Sequence, residues 1–180
     1  MQKRFAGVTC IILALIAVSA TAFAQDDKSK RPSPPAQAQC TLPDGKTVTI
    51  DYSSPRAKGR KIFGGLVPFD KVWRAGANEA TTFVTDSNLA VGGKDVPAGS
   101  YTIFAIPTTD KWTLIISKGT KEWGTDYPGE AKDLTRVDMK TSKTASPVEN
   151  FAIAFDQKGK SCTLNMSWES TEASVMIGEK

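Results

Sequence analysis

The chain contains no histidine. That absence removes the commonest general base and the commonest transition-metal ligand. It also leaves any serine or cysteine nucleophile without its usual activating partner. Around Gly76 the lysine and hydroxyl spacing of a phosphate loop is missing, and no calcium-loop spacing occurs anywhere. No metal site and no cofactor are therefore expected. Charge of one sign is scarce too: 23 Lys and Arg against 19 Asp and Glu give +4, and Lys3 and Arg4 at the extreme N terminus supply two of those four charges. So small a remaining excess, with no basic stripe interleaved with aromatics, excludes an ordinary nucleic-acid binder. Long amphipathic helix patterns and internal repeats are absent. Beyond the N terminus no apolar run approaches the ~20 residues needed to span a bilayer.

The N terminus is the exception. Lys3 and Arg4 form a positive start, Val8 to Val18 is almost wholly apolar, and Ala22-Phe23-Ala24 makes an A-x-A cleavage site before Gln25. Residues 1–24 are read as a cleavable export signal. The alternative, an uncleaved anchor, fits poorly because the apolar run is short. Export to the periplasm or the outside follows, with no membrane span after cleavage. Of the three cysteines, Cys10 is lost with the signal. Cys40 and Cys162 remain, and an oxidising compartment permits a bridge between them; two separately buried thiols are the other possibility.

Residues 25–38 are polar and Pro-rich and read as a flexible tether. Residues 39–178 form a single domain with an apolar period of two. Val48, Ile50 and Tyr52 alternate with polar neighbours, and Tyr101, Ile103 and Ala105 share a face. So do Trp112, Leu114 and Ile116; Phe151, Ile153 and Phe155; and Cys162, Leu164, Met166 and Trp168. Turn chemistry separates these runs, as at Pro43-Asp44-Gly45 and Asp156-Gln157-Lys158-Gly159. The pattern predicts an all-β fold, an antiparallel β-sandwich of jelly-roll or immunoglobulin-like type. At most a turn or two of helix is expected near Pro68 to Val72.

One stretch, Ser53 to Ala80, breaks the alternation and predicts a long Gly/Arg-rich loop, which in a compact domain is usually functional or self-packed. Arg56, Arg60 and Arg74 supply donor forks suited to carboxylates, phosphates or sugar hydroxyls. Trp73 offers a stacking face, and Asn78 and Glu79 offer polar contacts. A second loop, 119–133, adds Trp123 and Tyr127 and is expected at the same end of the sandwich. These eight residues, Arg56, Arg60, Trp73, Arg74, Asn78, Glu79, Trp123 and Tyr127, form the candidate ligand site. Trp112 and Trp168 read as core. The bland alternative for the arginines is structural: pairing of Arg74 with Glu79 or another acid, and guanidinium bonds to loop carbonyls.

The runs Tyr52-Ser53-x-Pro55, Gly59-Arg60-x-Ile62-Phe63-Gly64-Gly65-Leu66-Val67-Pro68 and Val72-Trp73-Arg74-x-Gly76-Ala77-Asn78-Glu79-Ala80-Thr81 carry a resemblance. So do Pro97-Ala98-Gly99-x-Tyr101, Trp112, Trp123-Gly124 and Leu164-x-Met166-x-Trp168-Glu169. Together they resemble the bacterial family known as domain of unknown function 2911. The resemblance implies an export signal ahead of one domain, and no established activity, substrate or catalytic residue. The expected function is non-catalytic binding of a carbohydrate or small anionic cell-envelope ligand. A structural or protein-interaction module is the first alternative. A hydrolase pairing Glu79 with Asp126, Glu130 or Asp133 is the second; it demands a cleft and a carboxyl with a raised pKa.

Overall fold

Alternating β-branched and aromatic residues satisfy their backbone groups only by pairing with one another, and nine strands result. In the computed structural model, which describes residues 27–120, 122–123 and 126–180, these are β1 (Pro35–Thr41), β2 (Thr47–Ser53), β3 (Thr82–Thr85), β4 (Leu89–Val91), β5 (Lys94–Val96), β6 (Gly99–Pro107), β7 (Lys111–Ser117), β8 (Asp133–Lys158) and β9 (Ser161–Glu179). All pairings are antiparallel, in the order β1-β2-β3-β6-β7-β8-β9-β4-β5. The proposed export signal, residues 1–24, lies outside the described residues. Among the described residues no helix is long and apolar enough to cross a membrane.

The strands belong to one continuous sheet, where the alternation suggested separate layers. The long β8–β9 hairpin makes this possible. Lys140–Lys143 pairs with residues 171–174 and Ala152–Lys158 with residues 161–167, while between them β8 carries extra residues and its register shifts twice. Such a bulge bends the strand and sharpens its twist. The first half of β8 therefore pairs with β7, and the second half folds back over β1 and β2. Gln157 Nε2 donates to the Thr41 carbonyl at 2.9 Å, and the Tyr52 hydroxyl accepts from the Ile153 amide at 3.0 Å. Cys40 and Cys162 form a disulfide across this fold-over, with Cα atoms 6.5 Å apart.

Enclosed by the rolled sheet are Ile50, Phe83, Ile103, Leu114, Ile153 and Leu164, all buried. A smaller apolar patch lies on the opposite face of β6 and β7. There Phe104 and Ile115 are buried with Thr102 and Ser117. The segment following β7 covers them: Tyr127 packs edge-on against Phe104 at 5.2 Å, and Thr102 donates to Glu122 at 2.9 Å.

One expectation is corrected. The 25–38 tether is not flexible at its C-terminal end, because β1 starts at Pro35 and pairs with β2 out to Ser53. Ahead of it, the Pro34 carbonyl accepts from the Ser54 amide at 2.9 Å. No helix forms between Pro68 and Val72, where the chain runs through turns and bends.

Candidate functional site

The segment joining β2 to β3 carries no strand, yet backbone hydrogen bonds tie it to the sheet at several points. At its start Ala57 donates to the Glu149 carbonyl at 2.8 Å and Phe151 donates to the Pro55 carbonyl at 2.9 Å. The extra residues in the β8 bulge thus serve as a landing strip for the loop. Further on, Trp73 and Ala105 exchange both amide bonds at 2.8 Å. Near its end Ala77 donates to Ser53 at 3.1 Å, and Thr81 Oγ1 donates to the Ala75 carbonyl at 3.0 Å. Four non-glycine residues here adopt positive φ: Lys58 (50°), Asp70 (62°), Ala75 (49°) and Asn78 (56°). Backbone held in that region by surrounding contacts clusters at functional sites. Gly76 is required by close approach, since a Cβ there would stand 2.8 Å from Thr81 Oγ1 and 3.1 Å from the Ser53 carbonyl oxygen.

Four of the eight candidates turn inward on the protein itself. Arg56 donates to Ser54 Oγ at 3.0 Å. Arg60 donates to the Ala57 carbonyl at 3.0 Å and the Arg56 carbonyl at 2.6 Å. Asn78 donates to the Ser33 carbonyl at 2.8 Å. Glu79 accepts from Arg31 at 2.8 Å and pairs with Lys28 at 3.0 Å. Residues 28–34, read as part of the tether, are therefore a strap laid across the loop.

Arg74 behaves differently. The pairing with Glu79 weighed from the sequence does not form. Its Nε is buried without a hydrogen-bond partner, and burial alone pulls the guanidinium pKa below its usual value. The side chain lines a cavity of about 320 Å³ with Arg60, Leu66, Trp73 and Trp168. Trp73 forms one wall as part of an aromatic cluster. It stacks on Trp168 with centroids 5.9 Å apart and meets Phe151 and Trp112 edge-on at 4.9 and 6.1 Å. Trp168, assigned to the core by its strand pattern, is buried there and donates to the Glu149 carbonyl at 3.2 Å. It nevertheless reaches the cavity as well. Leu66, half exposed at 47%, stands at the rim.

The second loop does not join this cavity. Trp123 is 61% exposed, and its backbone bridges Glu79. Tyr127 donates to Asp133 at 2.8 Å and accepts from Arg136 at 2.9 Å. Asp133 and Glu130 are each paired with Arg136, at 2.7 and 3.1 Å. The hydrogen bond from Arg31 leads the effects that hold the Glu79 carboxyl down at about 2. A general acid needs the opposite shift, so Glu79 is set aside in that role. Among the described residues no group of three or more His, Cys, Asp or Glu is placed to hold a metal.

A family model described as a protein of unknown function (DUF2911) matches residues 33–177. No curated protein and no solved structure matches the chain.

Proposed function

We propose, from the premise that this chain belongs to the family of proteins of unknown function termed DUF2911, that its domain is an exported, non-catalytic binding module for a small anionic ligand, a carbohydrate carboxylate foremost, seated at Arg74. The observation that carries the reading is the buried Arg74 Nε, which has no hydrogen-bond partner among the described residues, beside a cavity walled by Trp73. Arginine keeps its charge inside a protein. A charge withdrawn from water without a counter-ion is unfavourable, and an anion accepted in a bidentate grip removes that penalty. The apolar wall beside it suits the C–H face of a sugar ring or another apolar body.

Export rests on the signal-like N terminus together with the buried disulfide, a bond that persists in oxidising compartments. The structural-module reading retains support from Arg56, Arg60, Asn78 and Glu79, whose polar atoms are committed to the protein itself. On that reading the loop is a plug and the cavity a by-product.

Thermal unfolding of the protein separates the two. Glucuronate or galacturonate at ~100 times its Kd adds about 2.7 kcal/mol to stability, which raises the Tm by roughly 5–10 °C for a domain of this size. Neutral glucose or galactose gives no comparable shift, and Arg74→Gln removes the response. Absence of any stabilisation by uronates, acetate or phosphate leaves the plug as the surviving account.

A further inference from the structure

Resting on the reading that Arg74 receives an anion, we propose that the ligand is a linear acidic oligosaccharide whose next charged unit occupies a neighbouring groove. The Arg74 cavity is not isolated. Arg60 and Ser33 line both it and a groove of about 350 Å³ whose other walls are Pro32, Arg56 and Lys58. Four cations, Arg56, Lys58, Arg60 and Arg74, thus border two adjoining depressions, and no carboxylate lines either one. None of the four forms an ion pair among the described residues; their neighbours Arg31 and Lys28 take up Glu79 instead. Among the described residues Arg56 and Arg60 donate to neutral oxygens and form no ion pair.

Direction along this track follows from the acids. Glu149 and Glu169 line a third depression, also of about 350 Å³, on another side of Arg60. The Glu149 carboxylate also accepts from the Lys58 amide at 2.8 Å, so a chain leaving Arg74 is drawn toward Arg56 first, with Lys58 adding its exposed side chain. The class of chain follows from the walls. Trp73 and Leu66 beside Arg74 present apolar surface that a pyranose ring covers with its C–H face, whereas an inorganic polyphosphate has no such face and leaves that surface wet.

Isothermal titration of the protein with galacturonic acid and its α-1,4-linked dimer and trimer tests this, with the methyl-esterified trimer and tripolyphosphate as further probes. The trimer binds at least about tenfold more tightly than the monomer, because its second unit binds at high effective concentration. Esterification abolishes binding. Lys58→Gln lowers the trimer-to-monomer affinity ratio by about two- to fivefold, the size of one exposed ion pair. Lys58 is exposed and its side chain makes no hydrogen bond among the described residues, so the variant keeps the fold. Monomer and trimer of equal affinity, or a ratio indifferent to Lys58→Gln, overturns the extended ligand while leaving the Arg74 reading intact. Tripolyphosphate binding more tightly than the trimer overturns the sugar class. No binding of any of these anions overturns both the inference and the reading beneath it.

Discussion

Arg74 and Gly76 sit two positions apart and make opposite demands on the protein. The guanidinium of Arg74 is held partly out of water, with no ion pair among the described residues. Replacing it by methionine keeps the apolar stem that packs beside Trp73 and deletes the charge. Arg74→Met is therefore expected to match or exceed the parent in ligand-free stability, by less than about 1 kcal/mol because the group is only half buried. A loss of several kcal/mol on urea denaturation would show Arg74 to be a structural post instead. Gly76 faces Thr81 Oγ1 and the Ser53 carbonyl too closely for any side chain. Gly76→Ala costs about 1–3 kcal/mol, the usual size of an overpacking defect, measurable by the same denaturation. The arginine was legible in the sequence as a donor in a long loop; its solitude was not. Glu79 is the nearest acid downstream, but the chain reverses through Ala75 and Asn78 at positive φ, and Glu79 is taken up by Arg31, 48 residues earlier in the chain. Partner choice across such separations is a matter of tertiary geometry, which composition and spacing do not encode.

At the scale of elements, the strands with a clean alternation were readable because each has one buried face, as β2 and β9 show. The middle of β8 was not. Residues 140–150 are polar and mostly exposed, so no periodicity marks them as strand, although pairing with β9 and with the loop makes them so. Phe104 and Ile115 did carry a signal for the second loop. Both are apolar at positions that alternation assigns to the outer face, and Tyr127 packs against Phe104 there. The strap was misread for a physical reason: its composition cannot order itself, and its order is borrowed from Glu79, Asn78 and Ser54. Its ionic clasp has a defined pH sense. The Glu79 carboxyl is lowered from its ordinary 4.5 to about 2 by Arg31 first, with Lys28 adding to it. The clasp's contribution is then complete above about 4.5 and is lost as the pH falls through about 2. Being partly exposed, it is worth no more than about 1 kcal/mol. Backbone NMR of residues 28–34 should show the strap loosening over that window while β2 and β6 signals stay put. Glu79→Gln at neutral pH should release it as well, seen as faster tryptic cleavage after Lys28 and Lys30. Unchanged cleavage in that variant would mean that contacts other than the Glu79 carboxylate, such as those of Ser33 and Pro34, suffice to hold the strap.

For the molecule as a whole, the all-β character follows from sequence periodicity, but the way a single sheet encloses its own core does not, since that depends on where β8 bends. The bend brings the second half of β8–β9 against the edge strand β1, and the Cys40–Cys162 disulfide ties the two together across 122 residues of chain. Closing so long a loop restricts the unfolded ensemble far more than the folded one, and the chain-entropy model assigns about 4–5 kcal/mol to it. That is a large share of the 5–15 kcal/mol total typical of a domain. The double variant Cys40→Ala, Cys162→Ala is therefore expected to unfold at markedly lower urea concentration, with a steeper dependence on urea, because its unfolded chain exposes more surface once the cross-link is gone. Both cysteines are buried, so reductant alone leaves the folded protein oxidised for long periods, and the two curves converge only when reduction proceeds in denaturant. If the double variant keeps its urea midpoint and slope, the fold-over is held by the β8–β9 ladder and the packing beneath it, and the bridge is incidental to the architecture.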